Sequence, residues 1–388
     1  MNLQQLKNIV QSSHVNFLFG SGLSRPYLPT LGDIEQWLTD IVSNKELDEN
    51  LKGALETNIL AFYFNGVMLP CMPNNRAGND YNKVIAQYQR FFQHWNKIIA
   101  SRHTDLLDKQ VNVFTTNIDD LVEDVAEQIR VEFNAGFRGH ITPIYDENAF
   151  SNVIAKVSPL FHTTASIPVF NYLKMHGSIN WKATEDKNIT YDRTYENLQF
   201  IQTECEKLKK QGLLWEFASI EDLVSHVTEN EDKVKEHIKC YQEFLSSYYA
   251  KLVMINPRKE KFKESVLDLH FYELMRLYSN ALERNNSVLF VAGFSFADEH
   301  LAQITVRAAN SNPTLQVIVF AYDDHQKQII KDNIHKGGHI INNNVVILTP
   351  TEYKDAAKED DKESLTGLEH FDLASINHYV FTPLSNAV

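Results

Sequence analysis

Cysteine is nearly absent from this chain: three residues in 388, Cys71, Cys205 and Cys240, with no Cys-x-x-Cys pair anywhere. That excludes a disulfide-framed secreted domain and a four-cysteine zinc module, and it fits a reducing cytoplasm. No run of about 18 apolar residues occurs, so no membrane-spanning helix is expected. Met1 is followed by polar residues rather than a basic and then apolar segment, so no secretory leader is expected. Positive charge is in deficit: 37 Lys and Arg stand against 50 Asp and Glu, a formal charge of −13. Nucleic-acid affinity comes mostly from Lys and Arg against phosphate, which argues against a chain that grips DNA unaided and leaves open a local basic patch or a partner that holds the DNA. Outside an acidic tail no cluster of carboxylates could hold catalytic metals, which argues against a nuclease. Internal repeats and low-complexity tracts are also missing.

What is present is a series of short apolar segments: VNFLF (15–19), VNVFTTN (111–117), YLKMHGS (172–178), LVMIN (252–256), VLFVAGFS (288–295), LQVIVFAY (315–322) and NVVILT (344–349). They are rich in Val, Ile, Leu and Phe and barely alternate, the pattern of strands buried on both faces of a parallel sheet. Helical patterns lie between several of them. Ile34, Trp37, Leu38 and Ile41 share one helical face after a start at Thr30–Asp33 resembling a capping box. Alternation of strand and helix predicts an α/β fold, a doubly wound, mostly parallel sheet of Rossmann type. Segments 1–33, 106–182 and 250–350 are assigned to this core. Segments 34–105 and 183–249 are assigned to helical insertions that build a second lobe, and 351–388 to a C-terminal tail whose acidic run KDAAKEDDKES reads as a solvated loop.

Four stretches at predicted strand ends carry candidate chemistry. Gly20-Ser21-Gly22, with Ser24 beyond, follows the first strand as a dinucleotide-binding turn does, where backbone amides and a helix start would face a pyrophosphate. The third glycine of that fingerprint is missing, with Arg25 in its place, and the ribose-binding acid has no second strand to sit on. An ordinary dehydrogenase is therefore disfavoured, and a tight turn without a ligand is the alternative. In FTTNIDDLVE, Thr116, Asn117, Ile118 and Asp119 stand at the carboxyl end of a strand, where side chains of open sheets point at the ligand crevice; the alternative is that they cap the next helix. His176 and Gly177 end a third strand, although a lone histidine is more often structural. Gly293 and Ser295 in VAGFSFADEH suit a phosphate contact or an ordinary strand-to-helix turn.

Taken in order, GSGLS, TTNID, HG and GFS resemble the NAD site of the sirtuins, whose pattern is Gly-Ala-Gly-x-Ser, Thr-Gln-Asn-Ile-Asp, His-Gly and Gly-Thr-Ser. LVMINP (252–257) is similar to that family's strand leading to an asparagine near the adenosine ribose, here Asn256. The likeness spans roughly 14–33, 110–181 and 250–322 and leaves out both insertions and the tail. It departs in three places. No zinc module follows His-Gly, which puts protein deacylation in doubt. RPYLPTLGDIE replaces the family's Pro-Asp-Phe-Arg, leaving Asp33 as a possible counterpart of its acid, and Thr116 replaces a glutamine.

A zinc-less core with helical elaborations is similar to the sirtuin-like NADases of bacterial antiphage defence, some of which work with a HerA-type hexameric ATPase. The resemblance implies an NAD glycohydrolase that releases nicotinamide and ADP-ribose, with NAD as substrate and no metal. It implies Asn117, Asp119 and His176 as catalytic residues: Asp119 and the Ile118 backbone hold the carboxamide, Asn117 orients water or a ribose hydroxyl, and His176 acts as general base. It implies Gly20, Ser21, Gly22, Ser24, Thr116, Asn256, Gly293 and Ser295 as NAD-binding residues. The expected partners are further copies of the chain and a HerA-type ATPase, with no membrane and no direct nucleic acid. A non-catalytic NAD or ADP-ribose-binding subunit, and a deacylase or ADP-ribosyltransferase, are the alternatives.

Overall fold

The computed structural model describes residues 1–30, 34–45, 47–102, 106–255 and 267–387. Asp33 and Asn256 therefore lie outside the described residues, as does the end of the Thr30–Asp33 helix start. Seven strands form the central sheet: β1 His14–Phe19, β2 Gln110–Thr115, β3 Glu132–Asn134, β4 Val169–Lys174, β5 Ser287–Ala292, β6 Gln316–Phe320 and β7 Val345–Leu348. Their order is β7-β6-β5-β1-β2-β4-β3 and every neighbouring pair is parallel. The fold is the doubly wound α/β sheet that the apolar segments predict.

Alternate residues of each strand enter opposite cores, which is why the strands read as continuous apolar runs. Phe17, Val113, Tyr172, Phe290 and Ile318 face one side; Leu18, Phe114, Leu173, Leu289 and Val317 face the other. On the first side the helix Asn79–Ala100 lays Phe91 and Trp95 on Phe17, with ring centroids 4.9 and 4.8 Å away. On the second, Tyr278 of the helix Leu267–Glu283 meets Phe114 at 5.0 Å.

One strand prediction fails. LVMIN does not join the sheet: Met254 makes a single antiparallel bridge to Gly177. Both edges of β4 are already taken, by β2 and β3, so residues 252–255, which cross at its carboxyl end, cannot pair with it as a strand. The acidic tail is solvent-exposed, as its charge predicts, but partly helical over Glu359–Lys362. The remainder of the tail is built into the core, with Phe381 5.3 Å from Trp95 and 6.1 Å from Phe320. Residues 181–191 form a hairpin in a small antiparallel sheet rather than helix, because Trp181, Ile189 and Tyr191 are bulky strand formers. The helices of this second segment begin at Glu196.

The two helical segments pack on each other. Asn58 of the helix Glu49–Tyr63 donates to the Leu213 carbonyl and accepts from the Trp215 amide at 2.8 Å.

An asparagine ladder crosses the sheet where apolar residues are expected. Asn16, Asn112, Asn171 and Asn134 stand in register on β1, β2, β4 and β3. Asn112 donates to Asn16, Asn171 to Asn112, and Asn134 to Asn171, at 2.9 to 3.0 Å. Each amide uses its carbonyl on one neighbour and its NH2 on another, so the row is satisfied only as a unit. Asn112→Ala strands an acceptor on Asn16 and a donor on Asn171. At about 1–3 kcal/mol per buried unsatisfied group, the two groups make a loss of about 2–6 kcal/mol the expectation in urea unfolding.

Candidate active site

The chain runs β1 to β2 and β4 on one side of the sheet, then returns to β5, β6 and β7 on the other. The direction of winding therefore reverses between β1 and β5. In open α/β sheets the ligand crevice lies at the carboxyl ends of the strands flanking that reversal. Gly20-Ser21-Gly22 follows β1 and Gly293 follows β5, so these glycines stand at the switch point.

Their first use is structural. The Gly20 amide donates to Ala292 O at 3.1 Å and the Gly22 amide to Gly293 O at 3.0 Å. A Cβ on Gly20 would lie 2.3 Å from Gly293 O, and one on Gly293, at φ +64, would lie 2.6 Å from the Leu23 amide nitrogen. The two turns are pressed together, and the amides of Gly20 and Gly22 are already bonded within the protein. The hydroxyl-bearing Ser21 and Ser295 stand half-buried on either side.

The polar floor comes from the turn after β2. The Ser24 hydroxyl donates to Asp119 Oδ2 at 2.9 Å, and Asn117 Nδ2 donates to Ser24 Oγ at 3.4 Å. Asp119 Oδ1 also accepts from the Leu121 amide, at the start of the helix Leu121–Ile129. Burial pushes the Asp119 carboxyl upward; the nearby Lys174 charge and the Ser24 hydrogen bond oppose this. Thr116 is half-buried at the rim, its amide bonded to Phe19 O at 3.2 Å. The Ile118 carbonyl accepts from the Ile179 amide, the Ser178 hydroxyl and Lys174. Asn117 is 6% exposed, and its Oδ1, like those of Asn344 and Asn377, has no hydrogen-bond partner among the described residues. A buried amide oxygen left without a donor is costly.

His176 lies at the same edge, two residues past β4, and Thr115 and Lys174 end β2 and β4 in register. Its side-chain hydrogen bond goes to Asp298, Nε2 to Oδ2 at 3.0 Å, and neither side chain is sealed. No hydrogen bond joins His176 to Asn117 or Asp119. Asp298 follows β5 and caps the helix Glu299–Ser311 through the His300 and Leu301 amides. β4 and β5 are separated by β1 and β2, so the His176–Asp298 contact spans the edge from which the Ser24 and Asn117 turns emerge. Gly177, at φ +75, has Val253 O 2.4 Å from a would-be Cβ. The chain at 253–255 crosses there, the Ile255 amide donating to His176 O at 2.9 Å, which fixes the backbone that presents the imidazole.

Sequence reading did not single out Asp298, Lys174, Arg76 or Tyr195. Asp298 stands inside VAGFSFADEH, and Lys174 is a lone charge in an apolar strand; both were visible as anomalies. Lys174 is 2% exposed and bonded to Ser178 Oγ at 2.6 Å, to Glu123 at 3.1 Å and to the Asp119 carbonyl. Arg76 and Tyr195 come from the two helical segments and converge on Asp120, with Arg76 at 2.7 Å from both carboxylate oxygens. Nothing in the local pattern announces that meeting. Among the described residues no three His, Cys, Asp or Glu side chains gather as metal ligands do, and no helix is long and apolar enough to cross a membrane.

Burial pushes the Asp298 carboxyl up, but the His176 hydrogen bond and charge and the Leu301 amide outweigh it, holding it down at about 2. An ordinary Asp titrates near ~3.9, so the ionised form favours the fold by about 2 kcal/mol at neutral pH. That contribution is present above about pH 4 and is lost as pH falls toward about 2. Asp298→Asn should lower stability at neutral pH and flatten the acid limb of unfolding in that window, read by circular dichroism against pH.

The fold and site define a parallel α/β protein with a polar, partly buried constellation at its switch point. Comparison of the chain with known protein families and with curated proteins returns no match.

Proposed function

We propose that this chain is an NAD glycohydrolase, with NAD as substrate and water as acceptor. The observation that carries the reading is the unpartnered Oδ1 of Asn117, a buried acceptor past the end of β2, with a histidine held by a carboxylate past the end of the neighbouring β4. A base oriented by a third group is a recurring catalytic arrangement. The order of the strand-end motifs, which resembles that of the sirtuins, suggests NAD as the molecule.

Cleavage of the nicotinamide–ribose bond passes through an oxocarbenium-like state. Asn117 Oδ1 accepts a hydrogen bond from the attacking water or a ribose hydroxyl. His176 takes the proton as water adds to the anomeric carbon, and Asp298 stabilises the imidazolium so formed. Nicotinamide leaves with the bonding pair, so NAD+ and water yield nicotinamide, ADP-ribose and a proton. Asp119 is already bonded to Ser24 and Leu121; its role here is to hold the floor that sets Asn117. With the Gly20 and Gly22 amides engaged, the Ser21 and Ser295 hydroxyls at these turns take the phosphates. An NAD-depleting effector of antiphage defence, oligomeric and working with a HerA-type ATPase in the cytoplasm, is the setting the resemblance suggests.

The test is incubation of the purified chain with NAD, alone and with proteins encoded beside it, with nicotinamide and ADP-ribose quantified by chromatography. Tight NAD binding without nicotinamide release in every assembly would overturn hydrolysis in favour of a binding subunit. Release that requires an added protein acceptor would indicate transfer instead.

A further inference from the structure

Lys174 ends β4 between Leu173 and Met175 of the apolar core, and among the described residues it is the one buried lysine, 2% exposed. Taking an ammonium out of water is costly, and an unbranched apolar side chain such as methionine would fill the place without that cost. Nor is its ion pair complete: Glu123 Oε1 accepts from Lys174 at 3.1 Å, but Glu123 Oε2 has no hydrogen-bond partner among the described residues. A buried pair with an unsatisfied oxygen is no more stabilising than apolar residues of similar volume. Stability alone does not account for this charge.

The placement of its partners accounts for it instead. An ammonium has three protons, and Lys174 turns them to Ser178 Oγ at 2.6 Å, to Glu123 and to the Asp119 carbonyl, with the Ile118 carbonyl at 3.4 Å. Ser178 in turn donates to Asn180 Oδ1 at 2.8 Å, and the Ile179 amide donates to Ile118 O at 3.0 Å. Lys174 stands two residues before His176 and Ser178 two after it, so the bond between them closes the loop that presents the imidazole. The Ile118 and Asp119 carbonyls follow directly on Asn117. One buried charge holds both turns, although Asn117 and His176 share no hydrogen bond of their own.

We propose that Lys174 is a positioning residue: its ammonium ties the turn that carries Asn117 to the loop that carries His176 and sets the spacing of the two groups. That role presupposes that Asn117 and His176 act on NAD as proposed. Lys174 itself is buried and exchanges no proton with substrate. Its effect is on geometry, where a displacement of about 1 Å in a reacting group lowers the rate on the order of 10²-fold.

Lys174→Met combined with Glu123→Leu tests this, since removing the pair together strands no charge. The paired variant is expected to melt near the native temperature, to release nicotinamide with kcat lowered about tenfold to a hundredfold, and to keep KM for NAD near its native value. Ser178→Ala leaves the ion pair whole and removes the loop-closing hydroxyl. It should lower kcat by a smaller factor, again without a change in KM. Hydrogen exchange read by mass spectrometry needs no turnover: peptides covering 116–120 and 175–180 should exchange faster in both variants while the central strands stay protected. Native kcat in the folded paired variant overturns the proposal, and so does a loss confined to KM. If the paired variant does not fold, the Ser178→Ala result decides in the same way. A native chain that releases no nicotinamide sinks the hydrolase reading instead. Exchange then decides the clamp alone: faster exchange in both turns upholds it, and unchanged exchange overturns it.

Discussion

Asn117→Ala and His176→Ala are each expected to lower nicotinamide release by about 10²–10⁴, the range a positioned acid–base group supplies. The melting temperature of Asn117→Ala should change little, since Asn117 gives up one long hydrogen bond, 3.4 Å to Ser24, and an oxygen with no partner among the described residues. His176→Ala also removes the partner of the Asp298 carboxylate and should melt lower, so its turnover is read per folded molecule. An amide that mattered only to the fold would show the reverse, normal turnover per folded molecule and a lower melting point. Asp298→Asn separates the roles within the dyad. As a positioning residue it should lower kcat less than loss of the imidazole does, while KM for NAD stays near its native value. Full turnover in the Asn117 and His176 variants sinks the assignment.

The second large effect falls on stability. Asp120→Ala should cost about 3–5 kcal/mol, because it leaves a buried guanidinium without its principal counter-charge. Asp120 is 3% exposed and Arg76 11%, and Tyr195 bonds to both partners. Burial lowers the Arg76 value, but Asp120, Tyr195 and Asp124 outweigh it and raise it above the ordinary arginine value. Arg76→Met should cost less, since Asp120 keeps the Tyr195 hydroxyl and Asn180. The double variant should be more stable than the sum of the single losses predicts, the signature of a coupled buried pair. Urea denaturation of the four chains measures it. Strict additivity would show that the two side chains do not act on each other.

Six of the seven strand predictions hold because a two-faced parallel strand has a local signature: VLFVA is buried at every position whatever surrounds it. LVMIN carries the same signature, yet its described part, 252–255, crosses at the end of β4, whose two edges are taken. The glycines were legible as close backbone approaches, but what approaches them was not. Gly20 and Gly22 face Gly293, some 270 residues away in sequence, and Gly177 faces Val253. The asparagine ladder escaped notice for a related reason, since one Asn in each strand reads as a defect until register aligns the four.

Composition and periodicity alone determined the class of this protein: strands sheathed on both faces, glycine-bearing turns at their ends, and no thiol set for a zinc module. These follow from hydrophobic burial and backbone sterics, which act over a few residues. Tertiary structure decided that His176 pairs with Asp298 across two intervening strands, that Arg76 and Tyr195 meet on Asp120, and that Phe381 closes the core around Phe17. Those contacts depend on strand order and helix docking. They are settled by the packing of the whole chain, on which no short stretch of sequence bears by itself.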